Sequence, residues 1–304
     1  MLPGMKSGRR KKRMVETTTM GKEIDMRASG EAKMTQGLSF EMPQMSFYEA
    51  IQVFKATGID QILMTSAEDG IRMAAIDASR VGLIVEYIDS KRCVKYTRGN
   101  AAFGVDLNDL KGVLTYIKGT IKFSQSEDTI TMTGADGFTK TFSVLDDRIT
   151  VPIPNLDYRT GGVVNGKQFY TALSVAADMA DYVSLTADGS NVIVSAARET
   201  GKGKKNEMEM PVKTLKGNFK GEEGIKATYN SSILKDLIRP LKGGDIMVRF
   251  VLTLTNNAVT TKGTEEKTTK SERKGAGPLK INFKIGQNGA DDVRGYALLA
   301  PVTV

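Results

Sequence analysis

The stretch Ser66-Ala-Glu-Asp-Gly-Ile-Arg-Met-Ala-Ala-Ile-Asp-Ala-Ser-Arg-Val-Gly-Leu-Ile84 decides the fold. Within it, Asp69-Gly70 is a hairpin signal, because glycine supplies the positive φ that tight turns between strands need. Alternating segments flank it, Gln61–Thr65 before and Gly82–Ile88 after, and that period of two marks half-buried antiparallel strands. The pattern returns about 119 residues later, where Ala187-Asp188-Gly189 precedes the apolar run Val192–Ala197.

Two further matches give nearly the same offset. Phe47-Tyr48-Glu49-Ala50 recurs as Phe169-Tyr170-Thr171-Ala172, 122 residues on. Leu110-Lys111, Val113-Leu114 and Lys118-Gly119 recur as Leu234-Lys235, Leu237-Ile238 and Lys242-Gly243, 124 residues on. Independent matches at one spacing argue for a duplicated unit of roughly 120 residues. Each copy reads as strand, helix, strands, then strand, helix, strands.

Helices are expected at Ser46–Lys55, Asn108–Ile117, Gly166–Met179 and Ser231–Leu241. Ser46 with Glu49 has the spacing of a capping box, and Asn230 or Ser231 is placed to cap the last helix. Pro240 and Gly243-Gly244 would end it. Further strands are expected at Thr129–Thr133, Thr139–Val144, Asn206–Met210, Met247–Thr253 and Leu279–Ile285.

These readings divide the chain into a basic disordered tail (1–36), a first domain (37–144), a connector (145–160) and a second domain (161–304). Pro152 and Pro154 hold the connector extended. Residues 256–277, polar and poor in apolar side chains, read as a flexible loop inserted in a hairpin.

Composition narrows the chemistry. The 304 residues include no histidine, no tryptophan and one cysteine, Cys93. Histidine-dependent hydrolytic triads, thiolate zinc centres and internal disulfides are therefore excluded. A lone cysteine and the lack of an apolar leader point to a reducing, intracellular setting. No apolar run approaches the ~20 residues of a membrane span.

Net charge is +8. Residues 1–35 hold nine basic and four acidic groups, or +5, which leaves +3 for the rest. The Gly8–Arg13 cluster reads as a nucleic-acid contact, a localisation signal or simply a solvated tail. Any polyanion binding by the body must come from local gathering of charge. Lys55, Lys111, Lys118, Lys167, Lys235, Arg239 and Lys242 lie on or beside the four helices. Lys111 and Lys118 are seven residues apart, two turns of one helix face; Lys235, Arg239 and Lys242 recur at i, i+4 and i+7.

Two motifs are set aside. Gly161–Lys167 fits the glycine-rich phosphate loop, but Gln168 stands where a magnesium-binding hydroxyl is required. Asp146-Asp147 and Asp291-Asp292 lack a second acidic cluster. No metal and no cofactor is expected.

Taken with Phe103-Gly-Val-Asp-Leu-Asn-Asp-Leu110 and the ending Tyr296-Ala-Leu-Leu-Ala-Pro301, the opening stretch resembles the PCNA family of sliding DNA clamps, most closely its archaeal form. The resemblance spans about residues 38–304. It implies an α+β fold, duplicated in two domains, with helices lining the inner face of a trimeric ring and antiparallel sheets outside. It further implies a non-enzymatic processivity factor for DNA replication and repair. Such a clamp is located in the cytoplasm at the nucleoid, or in a host cell if the chain is viral. Its partners are double-stranded DNA, gripped without sequence preference, and DNA polymerase, clamp loader, ligase and nuclease, held through peptide motifs.

Carried over by position, the seven basic residues above would face DNA. A partner-peptide pocket would comprise Ile76, Arg80, Val81, Leu83, Leu145, Ile149, Ile153, Pro278, Leu298, Ala300 and Pro301. A subunit interface would join Phe138, Lys140, Phe142 and Val144 to Asn206, Met208 and Met210. The positive charge, the tail and the 256–277 insertion depart from the family pattern. They leave open a heteromeric or checkpoint ring subunit, and a DNA-binding module that acts through its tail without encircling DNA.

Overall fold

The computed structural model describes residues 37–100, 102–145, 151–154, 156, 158, 161–200, 204–219, 224–255, 273–285 and 293–302. The expected tail, Ile149, both Asp-Asp pairs and residues 256–272 of the expected loop lie outside the described residues.

The first half runs β1 (Ser39–Pro43), α1 (Gln44–Ala56), β2 (Gln61–Ala67), β3 (Gly70–Ile76), β4 (Gly82–Asp89), β5 (Lys95–Thr97), β6 (Phe103–Asp106), α2 (Leu107–Tyr116), β7 (Thr120–Gln125), β8 (Thr129–Gly134) and β9 (Thr139–Ser143). The second half runs β10 (Gly161–Asn165), α3 (Gly166–Met179), β11 (Tyr182–Asp188), β12 (Asn191–Thr200), β13 (Lys204–Asn218), β14 (Lys226–Asn230), α4 (Ser231–Ile238), β15 (Asp245–Thr255), β16 (Arg273–Ile285) and β17 (Val293–Leu299). Apart from the short β5, the two halves share one order of elements.

Three helices start by the same device. An Asx side chain at the end of a strand accepts amide hydrogens of the first turn, which would otherwise lack partners. Asp106 accepts from Asn108 and Asp109 at 2.7 and 3.0 Å, Asn165 from Gln168 at 3.1 Å, and Asn230 from Ile233 at 3.0 Å. The first helix differs from expectation. It begins at Gln44, so Ser46 lies inside it and forms no capping box; Pro43 sets the entry and carries no side-chain cap bond. Ring closure fixes φ near the helical value, and the Gln44 amide donates instead to the Gly119 carbonyl at 2.7 Å. The fourth helix turns 3-10 at Arg239–Leu241, where Pro240 cannot donate.

All pairings are antiparallel. Five strands form one sheet in the order β5-β1-β7-β8-β9. Twelve form another, β14-β11-β12-β13-β10-β15-β16-β17-β4-β3-β2-β6. The halves join inside the large sheet, where β17 pairs with β4 over seven residues. One face carries the helices: α1 touches α2 and α4, and α4 touches α3. Helix α1 buries Phe47, Ala50, Ile51 and Phe54, the i, i+3, i+4, i+7 stripe of an amphipathic helix. Phe40 stacks on Phe123 at 4.7 Å in the first half, and Phe219 meets Phe250 edge-on at 5.7 Å in the second. Burial of such rings is the main favourable term for folding.

A smaller cluster lies apart from this core: Leu63, Ala74, Leu83, Val151 and Leu298. Ile153, Leu156 and Tyr158 pack against it, so the connector crosses the outer face of the large sheet. The hairpin β15–β16 is longer than expected. Its strands pair out to Thr255 and Arg273, so residues 273–277 are strand and not loop.

Candidate functional site

A cleft of about 340 Å³ opens beside the outer cluster. Ile76, Arg80, Val81 and Leu83 supply one wall, Ile153 of the connector another, and Pro278, Leu298 and Ala300 the third. Each is among the residues singled out from the sequence. Pro152 and Pro154 also line the cleft and were used above only to mark the connector. With no amide hydrogen, a proline in a wall adds apolar surface without an unpaired donor. Leu145 does not reach the cleft: its amide donates to the Gly104 carbonyl at 2.9 Å, which ties it to β6. Pro301 is absent from the lining too, and the chain beyond it bends away, Val302 donating to Thr228 at 2.8 Å. Ile149 lies outside the described residues.

The Asp77–Gly82 loop is built to hold that wall. Asp77 is buried, and its carboxylate accepts from the Gly82 amide at 2.7 Å and from the Ser79 hydroxyl. The Asp77 amide in turn donates to the Gly82 carbonyl at 2.9 Å. Closing so short a loop places Arg80 at φ +57°, the one described non-glycine residue with positive φ. Strain at such a position persists only where the surroundings fix it. Ala300 donates to the Val81 carbonyl at 2.8 Å, stitching the end of the chain to the loop. The spacing Asp-x-Ser-Arg-Val thus has a local mechanical reason.

On the opposite face, the basic residues gather in two groups. Contact between α1 and α2 brings Lys55 and Lys111 together. The neighbouring Lys111 side chain pulls the Lys55 ammonium below the ordinary lysine value, with some help from burial. Like charges this close favour loss of a proton unless an anion joins them. In the second group Lys235 pairs with Asp178 of α3 at 3.6 Å, and Arg239 pairs with Asp236 and bonds Tyr170. Lys242 sits 5.3 Å from the Tyr170 ring centre. Lys167 is exposed at the start of α3. Lys118 departs from expectation: α2 ends at Tyr116 and the chain is extended at Ile117, so Lys118 leaves the helix face it was assigned to.

Two strand edges lack partners among the described residues. Strand β9 pairs only with β8. In β13, residues Lys204–Lys213 pair only with β12, and pairing with β10 begins at Thr214. Phe138 and Lys140 are exposed beside the first edge, and Lys140 reaches Asp109 at 3.4 Å. Phe142 points the other way, into the core, and Val144 is half-buried against it. Asn206 is exposed, whereas Met208 and Met210 pack against the core. Sequence reasoning overlooked Tyr116. It is 69% exposed and its ring centre lies 6.1 Å from Phe138, an aromatic pair held in solvent beside an unpaired edge. The mixed composition of a short helix end concealed it.

Among the described residues no cluster of three potential metal ligands occurs, and no helix is long and apolar enough to cross a membrane.

Comparison with known proteins fits this geometry. The chain is 29% identical over 204 residues to the DNA polymerase sliding clamp of Pyrococcus horikoshii, covering 63% of this chain and 80% of that one. The sliding clamp of Methanococcus vannielii is 24% identical over 211 residues, covering 64% and 83%. Among solved structures, PCNA from Thermococcus kodakaraensis superposes with a TM-score of 0.67 at 19% identity, over 87% of this chain and all of that one. The chain carries the PCNA-type sliding-clamp fold. The A. fulgidus PCNA bound to the C-terminal region of FEN-1 matches with a TM-score of 0.66 at 15% identity, over 88% and 99%. No family model matches. In this chain the cleft and the basic helices lie on opposite faces of the large sheet.

Proposed function

We infer that this chain is a DNA polymerase processivity factor, a sliding clamp that holds other proteins on duplex DNA. The reading rests above all on one observation. A preformed apolar cleft lies between the Asp77–Gly82 loop, the connector and the end of β17, in a chain whose curated relatives are DNA polymerase sliding clamps. The clamp performs no chemistry of its own. It presents surfaces, and the absence of histidine is of no consequence for that work.

Three copies would close a ring by pairing β9 of one with the Lys204–Pro211 stretch of β13 in the next. Ring closure would also remove two sheet edges that otherwise invite aggregation. The helices would then line a hole, and Lys55, Lys111, Lys167, Lys235, Arg239 and Lys242 would meet phosphates without reading bases. Delocalised contacts of this kind permit sliding. Polymerase, clamp loader, ligase and nuclease would dock apolar and aromatic anchors in the cleft, with their backbones paired to the connector and chain end. Residues 37–144 and 161–304 would act as the two clamp domains. Light scattering tests the assembly: a mass of three chains supports the ring, and a stable monomer rejects it.

A further inference from the structure

Leu298 of the cleft begins a row that continues away from it across the outer face of the sheet. Lys280 lies directly opposite Leu298 in the β16–β17 register, and Arg249 directly opposite Lys280 in the β15–β16 register. Two half-buried cations therefore stand side by side, about one and two strand spacings, roughly 5 and 10 Å, from the cleft wall. Neither enters an ion pair among the described residues. The Arg249 Nε donates only to the Met247 thioether, at 3.1 Å, which is a weak acceptor. Lys280 sits between two rings, 4.9 Å from the centre of Tyr158 and 4.3 Å from that of Tyr296. Burial and the neighbouring guanidinium both lower its proton affinity.

Two more donors close the group. The Tyr158 hydroxyl and the Asn282 Nδ2 are buried and make no hydrogen bond. Asn282 follows Lys280 on the same face of β16, opposite Tyr296. Two cations and two unpaired donors thus share one face of the sheet, and no carboxylate is paired with any of them among the described residues. Leaving such groups unpaired away from water is costly, and the cost falls when an anion arrives.

We propose that Arg249, Lys280, Tyr158 and Asn282 form an anion subsite that receives a carboxylate side chain from a peptide whose apolar anchors occupy the adjacent cleft. The proposal rests on the partner-cleft reading given above. Continuity selects the occupant: the row starts at a cleft residue, and a peptide extended from the cleft advances about 3.3 Å per residue, so a side chain one to three residues from the anchor reaches the cations. Lys280 and its two tyrosines also tie the connector to the sheet, so an acidic partner would dock where the connector is already fixed.

The test uses the full chain and labelled synthetic peptides with fixed aromatic anchors, in which Glu or Gln is scanned through the flanking positions. Fluorescence anisotropy at low salt is expected to show Glu preferred about tenfold at one position, the effect of one charge-assisted bond. Lys280→Gln and Arg249→Gln should each shrink that ratio. Together they should bring it to one, with the Gln peptide bound as before. A ratio of one at every position in the unaltered chain overturns the subsite and leaves the cleft standing. Binding of neither peptide overturns both. Equal loss of Glu and Gln peptides in the double variant, or equal competition by inorganic phosphate against both, would show a connector clasp or a free-anion site instead.

Discussion

Leu83 of β4 and Leu298 of β17 lie directly opposite one another, one from each half of the chain, and both line the cleft. The cleft therefore sits on the seam that joins the halves. Its shape depends on both, and neither half alone can form it.

A charge placed in the cleft should abolish peptide docking. Ile153→Asp and Ile76→Asp are the appropriate changes, because both side chains are only half-buried and their loss costs the fold less than that of Leu83 or Leu298. Peptide affinity is expected to fall at least tenfold in a titration, with oligomeric mass unchanged. Undiminished binding in both variants would remove the cleft from the account.

Lys55 and Lys111 are predicted to grip DNA as a pair. Each phosphate contact contributes about 0.9 to the slope of log affinity against log salt. Replacing both by alanine should weaken duplex binding equally for unrelated sequences and flatten that slope by about one to two. A slope unchanged within error would mean that these lysines do not touch phosphate.

Tyr116 and Phe138 are predicted to be covered in the assembled ring. Both are exposed here, so Tyr116→Asp with Phe138→Asp should leave the monomer folded. Light scattering should then report single chains where the unaltered protein reports multimers, with an unchanged far-ultraviolet dichroism spectrum. Persistence of the multimer would place the interface elsewhere.

Glu86 gives the fold a pH dependence. It is fully buried at the centre of β4, opposite Met73 and Gly295, and neither carboxyl oxygen has a hydrogen-bond partner. Burial pushes its carboxyl well above the ordinary carboxylate value. In the unfolded chain it titrates near 4.3. Between those two values the native state holds the extra proton, so this contribution is complete below about pH 4 and is lost as pH rises toward the folded value. Glu86→Gln should flatten that decline, so that its effect on stability is more favourable at pH 8 than at pH 5. Equal shifts in melting temperature at both pH values would contradict it.

Much of this was legible beforehand for identifiable reasons. Hairpin turns, the repeat and the apolar stripes of α1 and α4 are local patterns, and each formed near its expected place. Cleft residues could be named because the resemblance to the clamp family carried them over by position; the Asp77–Gly82 bonds then give one part of that pattern its physical reason. Other features depend on distant partners. The start of α1 was misplaced because Gly119, far along the chain, satisfies its first amide. The retreat of Lys118 from its helix face follows from where α2 stops. Glu86 in the core and the Arg249–Lys280 pairing appear only once strand registers are known, since a shift of one residue would turn each side chain to the other face.

The central claim is that this chain encircles DNA, and topology tests it most directly. The protein is loaded by a clamp loader onto nicked circular duplex, separated from free protein, and the circle is then cut once. A clamp is expected to stay with the circle in moderate salt and to be released from the linear form through its ends. Equal retention on circular and linear DNA, or loss from both at the same rate, would contradict the account.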